Sequence, residues 1–546
     1  MKHKDLSQSL PLSIVIFLMC VICLSGCRKE QEWHAFHYDS MRTSSQPKST
    51  ALSDPAKVPN LAVRWTWTAP APGPGGNAGF RASPVVNDNI VYIGNGNGFF
   101  YALNGDTGAL LWQYPSAGSP ALVTQFQCNP SSYGIASSAA ITDINGTDAV
   151  IFAAPDQSIG MHLGDGRLFA LNAKTGAEIW KSPVIARLTG LTSGSKTEFH
   201  ENIGYSAPVV FNNHVYVGIG DQCDNPIQKG RVVAVRLDTG AIDPAFSYCS
   251  TGTCGDSARG GGVWSPVSGA GQNVYMTTGN TKSGSPTEPS PNNGLSMIKL
   301  DQNSGAIIWK FQPVPWILDG DPDWSAGATI MSTSCGKVVI STMKDGWTHA
   351  LDDGSTVPGP PSRRWTFPPA TIPFTPGDGT THGDTRYMRG GAAWGDVYIA
   401  MNGGLNLTVS GVLGGYRRLH AFNVCAAEAD RLRWLIDVPG TSPPNPFQRY
   451  YLGHPTVTNG IVYVGTDLGH LVVIADPSLV PAAGFRCSNP DVTNANCIAS
   501  GYKFVPQPAV LKDIPLSGRM VYNEPALANG RVYIATEGNN VYMLSP

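Results

Sequence analysis

The run Asp319-Gly320-Asp321-Pro322-Asp323 sets carboxylates at alternating positions, as many Ca2+-binding loops do at their start. The glycine and distal glutamate that would complete an EF-hand loop are absent, which leaves an exposed acidic turn as the plainer reading. Other reactive residue types are dispersed. The 11 histidines are scattered and none sits in a nucleophile motif, so hydrolytic chemistry has little support. Downstream of residue 27 there is no CxxC or His/Cys cluster, which argues against zinc. No CxxCH offers covalent attachment of haem.

Any site must be positioned by a scaffold, and composition restricts what that scaffold is. Of 546 residues, 62 are Gly and 43 are Pro, a load that a mainly helical body cannot carry. Apolar residues reach 42 %, enough to bury a core. The net charge of −2 and a charged fraction of only 14 % leave no footprint for nucleic acid. A phrase recurs along the chain. It reads Tyr101-Ala102-Leu103-Asn104, Asp106-Thr107-Gly108, Trp112, and returns as Phe169-Ala170-Leu171-Asn172, Lys174-Thr175-Gly176, Trp180. Weaker copies run through Asp238-Thr239-Gly240, Ser304-Gly305 with Trp309, His349-Ala350-Leu351-Asp352 with Trp365, and His420-Ala421-Phe422-Asn423 with Trp434. Two bare strands, Val473–Asp476 and Tyr542–Leu544, complete eight copies. Strands of the type Val91-Tyr92-Ile93-Gly94 precede most of them.

Alternating β-branched and aromatic residues predict half-buried strands. The Thr-Gly step predicts a tight turn, and the Trp one strand later offers a flat surface to the next unit. A four-stranded antiparallel unit cannot bury both faces alone, and radial stacking solves this. The expectation is all-β: an eight-bladed β-propeller over residues 61–546. Its last blade lacks a Trp strand, and Leu61–Trp67 has the character of the missing strand. The ring is thus expected to close through the N-terminal strand, with the surplus length in loops where a site would lie.

The first 26 residues read as a signal peptide: Lys2, His3 and Lys4, then an apolar run from about Leu12 to Leu24, too short to span a bilayer comfortably. Its end, Leu24-Ser25-Gly26-Cys27, resembles the lipobox of bacterial lipoproteins. That resemblance implies a lipid on Cys27, a membrane anchor facing the periplasm, and an outer-membrane destination that Arg28 permits. Residues 27–60 are polar and read as a flexible tether. Eight cysteines remain after the anchor, an even number that favours disulfides in an exported chain. Cys249 with Cys254 and Cys487 with Cys497 are the natural local pairs. Cys128, Cys223, Cys335 and Cys425 can pair in several ways.

Ala-Leu-Asn-x-x-Thr-Gly-x-x-x-Trp resembles the repeat of the pyrroloquinoline-quinone (PQQ) propellers, over nearly all of the chain from about residue 61. Two classes share that repeat: quinoprotein alcohol dehydrogenases, including polyvinyl-alcohol-dehydrogenase-like proteins, and the cofactor-free propeller lipoprotein of the outer-membrane β-barrel assembly machine. The dehydrogenase resemblance implies a site. In Gly260-Gly261-Gly262-Val263-Trp264-Ser265-Pro266, Trp264 matches the residue that stacks under the quinone. In Thr278-Gly279-Asn280, Asn280 matches a Ca2+ ligand. Lys344 matches the lysine that reaches the quinone oxygens, and Trp394 matches the tryptophan of a later Gly-Gly-x-x-Trp-Gly segment at the axis. Two positions depart from the pattern. Where the family has a Ca2+-binding Glu, this chain has Asp221-Gln222-Cys223-Asp224, so Asp221 is the candidate ligand. Where Pro-Asp-x-Asp-x-Gly is expected, Pro322-Asp323-Trp324-Ser325-Ala326-Gly327 stands, so Asp323 is the candidate base. The family's vicinal Cys pair is also missing. The resemblance implies alcohol oxidation with PQQ and Ca2+ and a separate electron acceptor. The alternative is a non-catalytic scaffold for envelope protein partners in outer-membrane protein assembly.

Overall fold

The computed structural model describes residues 32–71, 79–122, 134–156, 165–186, 201, 203, 205–220, 229–252, 254, 260–280, 293–313, 323–344, 347–354, 361–367, 390–401, 418–442, 452–488, 494–499 and 503–546. Eight four-stranded antiparallel sheets form the blades. The first is typical: Val85–Asn87 innermost, then Ile90–Gly94, Phe100–Asn104 and Leu110–Tyr114 outermost. The inner strands of blades two to eight are Ala140–Ile144, Val209–Phe211, Ser268–Ala270, Thr329–Thr333, Ala392–Trp394, Thr456–Thr458 and Ala526–Ala528. The eighth blade takes its outer strand from the start of the ring. Ala62–Thr68 pairs antiparallel with Asn540–Ser545, Ala62 opposite Ser545 and Thr68 opposite Asn540, with a register shift between Val63 and Trp65. Closure by the N-terminal strand is as expected.

The repeat phrase has a clear structural purpose. In four blades the indole Nε1 of the outer-strand Trp donates to a carbonyl in the turn of the next blade: Trp65 to Gly105 at 3.0 Å, Trp112 to Ala173 at 3.1 Å, Trp180 to Leu237 at 2.9 Å and Trp365 to Val424 at 3.0 Å, while Trp434 donates to the Asp476 carboxylate at 2.8 Å. The turn glycine is required twice over. Gly176 has φ +72°, and a Cβ there would lie 2.7 Å from the Trp112 ring. The fifth blade has Asp352-Asp353-Gly354 in place of Thr-Gly, and the Trp309 indole that faces it finds no hydrogen-bond partner. Instead, Lys299 pairs with Asp353 at 2.9 Å and the Tyr275 hydroxyl donates to it at 2.7 Å.

The disulfides Cys249–Cys254 and Cys487–Cys497 form as the local pairing suggests. Cys335–Cys425 staples the fifth blade to the sixth. Cys128 and Cys223, like Cys27, lie outside the described residues.

The polar stretch before residue 61 corrects the tether expectation over residues 32–60. These residues enter the ring as a loop along its axis, bonding to seven of the inner strands and, in the third blade, to the residues just ahead of it. Trp33 exchanges backbone hydrogen bonds with Val86 at 3.1 and 2.8 Å, and the carbonyls of His34, Ser40, Met41, Thr43 and Ser44 accept from Ile141, Gly269, Ile330, Ala393 and Val457. Arg42 donates to the carbonyls of Ala207 and Pro208, and Gln46 to that of Leu527. The physical reason is that each inner strand has an edge with unpaired backbone groups, which must find partners when buried. Backbone carbonyls and short polar side chains satisfy that need without any hydrophobic periodicity, while Trp33, Leu52 and Val58 are fully buried as anchors.

Candidate functional site

In each blade the inner strand runs from one end of the ring to the other, and the second strand returns. Residues before an inner strand and after a second strand therefore share one end. Trp264 precedes Ser268–Ala270, Thr278-Gly279-Asn280 follows Asn273–Thr277, Asp323 precedes Thr329–Thr333, and Lys344 follows Gly336–Thr342. Four of the candidates thus meet where the fourth and fifth blades adjoin. Trp264 Nε1 donates to Asp323 Oδ2 at 2.7 Å. Lys344 Nζ lies 2.6 Å from Asp323 Oδ1 and 5.0 Å from the centre of the Trp264 ring, within cation–π range. The Lys344 backbone N–H donates to the Asp323 carbonyl at 2.9 Å. Asp323 is 2 % exposed and Lys344 4 %.

Glycine backbone brings these side chains together. Gly279 N–H donates to the Gly262 carbonyl at 2.7 Å, and Gly261 N–H to the Asn280 carbonyl at 2.7 Å. A Cβ on Gly279 would sit 3.2 Å from both Asp323 Oδ2 and Trp264 Cδ1. Ser325 is buried, and its hydroxyl has no hydrogen-bond partner among the described residues. Asp221, Asp319 and Asp321 lie outside the described residues.

Trp394 does not join this group. It is the last residue of Ala392–Trp394, which puts it at the turn end, opposite the other candidates. A Cβ on Gly460, in the turn of the seventh blade, would lie 2.9 Å from the Trp394 ring, so this tryptophan packs between neighbouring turns. Its Gly-Gly-x-x-Trp spacing places the glycines at the site end and carries the ring one strand length away.

The tip of the axial loop also reaches the site end, which sequence reasoning missed. His37 N–H donates to Glu524 at 2.7 Å and Ser44 Oγ to the other oxygen at 2.6 Å. The Gly390 N–H donates to His454 Nδ1 at 3.1 Å, so the 2.9 Å contact of His37 Nε2 with that nitrogen has His37 as donor. Burial holds the His37 pKa well below its ordinary value, with the Arg42 charge adding to the effect. Burial pushes the Glu524 carboxyl up to about 8. Also at this end, the Arg81 guanidinium lies 4.8 Å from the Tyr522 ring centre, and Tyr205 stacks on Tyr522 at 5.5 Å. The signals for this set were single residues in aperiodic segments, Trp33 and Arg42 among them.

The family model described as glucose/ethanol/alcohol dehydrogenase, beta-propeller domain, matches residues 33–359, more than half of the chain and including the axial loop. Among curated proteins, the dehydrogenase subunit of alcohol dehydrogenase (quinone) from Gluconacetobacter polyoxogenes is 23 % identical over 57 % of this chain and 43 % of its own length. The quinohemoprotein alcohol dehydrogenase of Comamonas testosteroni is 22 % identical over 54 % of this chain and 42 % of its own. The chain thus spans about two-fifths of the length of these relatives. A solved structure of the Comamonas testosteroni enzyme aligns with TM-score 0.56 and 17 % identity over 96 % of this chain and 82 % of its own. A europium-containing methanol dehydrogenase aligns with TM-score 0.58 and 14 % identity over 96 % of this chain and 99 % of its own. At these identities the structural likeness speaks for the fold.

Proposed function

Because the chain belongs to the glucose/ethanol/alcohol dehydrogenase β-propeller family, we propose that it is a quinoprotein of the bacterial envelope that oxidises an alcohol with PQQ. The observation that carries this reading is the convergence of Trp264, Asp323 and Lys344 at one end of the ring. The set fits the quinone in kind. It offers a flat aromatic face, an ammonium and a carboxylate, beside the partnerless Ser325 hydroxyl. The fit to Ca2+ is poorer. That ion takes about six to eight oxygen ligands, and among the described residues no group of three or more His, Cys, Asp or Glu is arranged to hold a metal ion. Asp323 and Asn280 would be its described donors, and no step is assigned to it.

When bound, the quinone supplies the acceptor for the hydride of the carbinol carbon. Asp323 accepts the hydroxyl proton of the alcohol. Trp264 and Lys344 each address one of its oxygens, so the carboxylate is oriented before substrate arrives. Burial of Asp323 and Lys344 keeps bulk water from the ion pair. Electrons then pass to a separate acceptor. A lipid on Cys27 would hold the protein at the periplasmic side of the outer membrane.

A second reading is a protein-binding propeller without turnover, a scaffold for envelope partners. It is favoured by Ser325, which stands where the dehydrogenase pattern has its Asp, and by the engagement of both Asp323 oxygens. One experiment separates the two. The chain after Cys27 is prepared without lipid, PQQ and Ca2+ are added, and tryptophan fluorescence is followed with dye reduction over a panel of alcohols. Quenching with dye reduction supports the enzyme. Absence of quenching at micromolar PQQ sinks it, and quenching without dye reduction assigns a binding site that has lost turnover.

A further inference from the structure

The axial loop fixes which way the ring faces when it is anchored. Both ends of the loop lie at the turn end, opposite Trp264, Asp323 and Lys344. At its start, Glu32 accepts from the Asp88 N–H at 2.7 Å and His34 contacts Asn87 at 3.0 Å, in the turn of the first blade. At its exit, the Pro47 and Ser49 carbonyls accept from Asn459 and Thr458, in the turn of the seventh blade, and the Leu52 carbonyl accepts from Tyr463. Its middle reaches the other end, where His37 meets Glu524 and His454, Ser44 meets Glu524, and Arg42 meets Ala207 and Pro208.

Cys27 precedes Glu32 by five residues, a span of at most about 18 Å even when fully extended. The chain therefore leaves the ring near the centre of its turn face on a very short leash. Four strands at ~4.8 Å spacing make a blade about 14 Å across, and the channel beneath it adds to a ring radius above ~20 Å. To lay the opposite face on a bilayer, the leash would have to cross that radius and then the height of the ring, roughly 40 Å in all. It is less than half as long as that.

We propose that the turn face lies against the lipid surface and that the Trp264–Asp323–Lys344 site opens on the far side, away from the membrane. The proposal rests on acylation of Cys27. The blade turns suit a headgroup layer, with the polar residues Asp88, Asn145, Asn212, Lys174 and Asp238 exposed at their tips, while the seventh blade's longer connection between third and fourth strands adds the exposed apolar residues Leu479, Phe485 and Ile498. Arg28 and Lys29 directly follow the acylated cysteine and add attraction to anionic lipid, worth about 1 kcal/mol each close to the surface. A soluble alcohol and the electron acceptor then reach the site from the periplasmic side without passing between ring and bilayer.

The test uses the full chain, expressed in a bacterial host that processes lipoproteins and purified in its native membrane. A photoreactive residue is introduced singly on the turn face, as Lys174→p-benzoylphenylalanine and Asp238→p-benzoylphenylalanine. The far-face counterparts are Ala117→p-benzoylphenylalanine and Leu468→p-benzoylphenylalanine, and all four positions are exposed. After illumination, lipid adducts and the mass of the N-terminal peptide are read together. The expected result is an acylated Cys27 and at least fivefold more lipid adduct from the two turn-face positions. Equal or reversed adduct yields in acylated protein overturn the orientation. An N-terminal peptide without acyl mass overturns the anchor on which the proposal rests, and the two failures are read from separate signals.

Discussion

A single contact repeated around the ring shows how the residue scale governs this protein. The turn glycine of one blade receives the indole of the blade before it. Substituting Gly176→Ala forces an L side chain into φ +72° and sets its Cβ 2.7 Å from Trp112. The left-handed backbone alone costs about 1–2 kcal/mol, and overpacking adds about 1–3 kcal/mol. Denaturant unfolding should therefore register a loss of at least ~2 kcal/mol, whereas Gly118→Ala, whose Cβ would meet nothing within 4 Å, should show only the backbone part. The repeat phrase was legible because the contact needs the same two residue types at the same spacing each time. The site was legible in part. Trp264, Asp323 and Lys344 meet, but Trp264 comes from the fourth blade and the other two from the fifth, and spacing along the chain cannot report that. Asp323 allows a separation of roles. Asp323→Asn keeps the volume and should leave PQQ quenching within about twofold while turnover falls at least tenfold. Asp323→Ala leaves Lys344 buried and without this partner, a change of about 3–5 kcal/mol in stability. Trp264→Ala should abolish quenching. Stopped-flow fluorescence and dye reduction on the three variants check this, and unchanged turnover in Asp323→Asn would remove Asp323 from the mechanism.

Among the elements, the axial loop places titratable groups where water does not reach, and pH should expose it. His37 is held neutral by burial, its pKa well below the ordinary value, and burial pushes His349 and His420 down to about 3. Their depressed folded values mean that the unfolded chain binds more protons below the ordinary histidine value of 6.5. Stability from these groups is complete above that pH and falls as pH drops below it. Glu524 has the opposite sign. Its folded pKa is raised from 4.5 to about 8, so its contribution is present below pH 4.5 and is lost as pH rises towards 8. Asp39, raised by burial, acts in the same sense. Three histidine contributions outweigh the two carboxyls between 4.5 and 6.5, and above 6.5 the raised carboxyls act without them. Tm should therefore peak near pH 6.5 and decline towards pH 8. In Glu524→Gln the alkaline decline should shrink, while the acid decline persists. Calorimetry from pH 5 to 9 on both proteins decides it, and a decline of equal slope in Glu524→Gln would refute the assignment. Sequence reasoning read this element as a tether because it has no apolar period. The strands declare themselves through a hydrophobic face, whereas the loop is held by the backbone edges it pairs with, and those edges have no sequence signature.

The whole molecule is a ring in which each blade packs on its neighbours, and such a ring needs something to fix its circumference. Two devices do so. The strand Ala62–Thr68 pairs with Asn540–Ser545 and joins the ends of the ring; its β-alternating residues made that closure readable in advance. The axial loop bonds to seven inner strands and, through Arg42, to the Ala207 and Pro208 carbonyls just ahead of the third blade's. The first device resists opening at one seam, while the second opposes widening at every seam, because each inner strand would lose its partner as the ring expands. The two are separable by experiment. A chain beginning at Leu61 keeps the closing strand and all blades but leaves seven inner strands without the loop. Every unmet buried hydrogen-bonding group costs about 1–3 kcal/mol, against a net stability of about 5–15 kcal/mol for a typical fold. That chain should fold poorly or melt far below the full-length protein, and its inner-strand amides should exchange with solvent before the outer ones. A synthetic peptide of residues 32–52, added in trans, should raise its Tm in proportion to the logarithm of peptide concentration, with protection returning first at Val86, Gly269, Ile330 and Val457, whose N–H groups the loop engages. A full-length-like Tm in the shortened chain would show that the closing strand alone sets the ring.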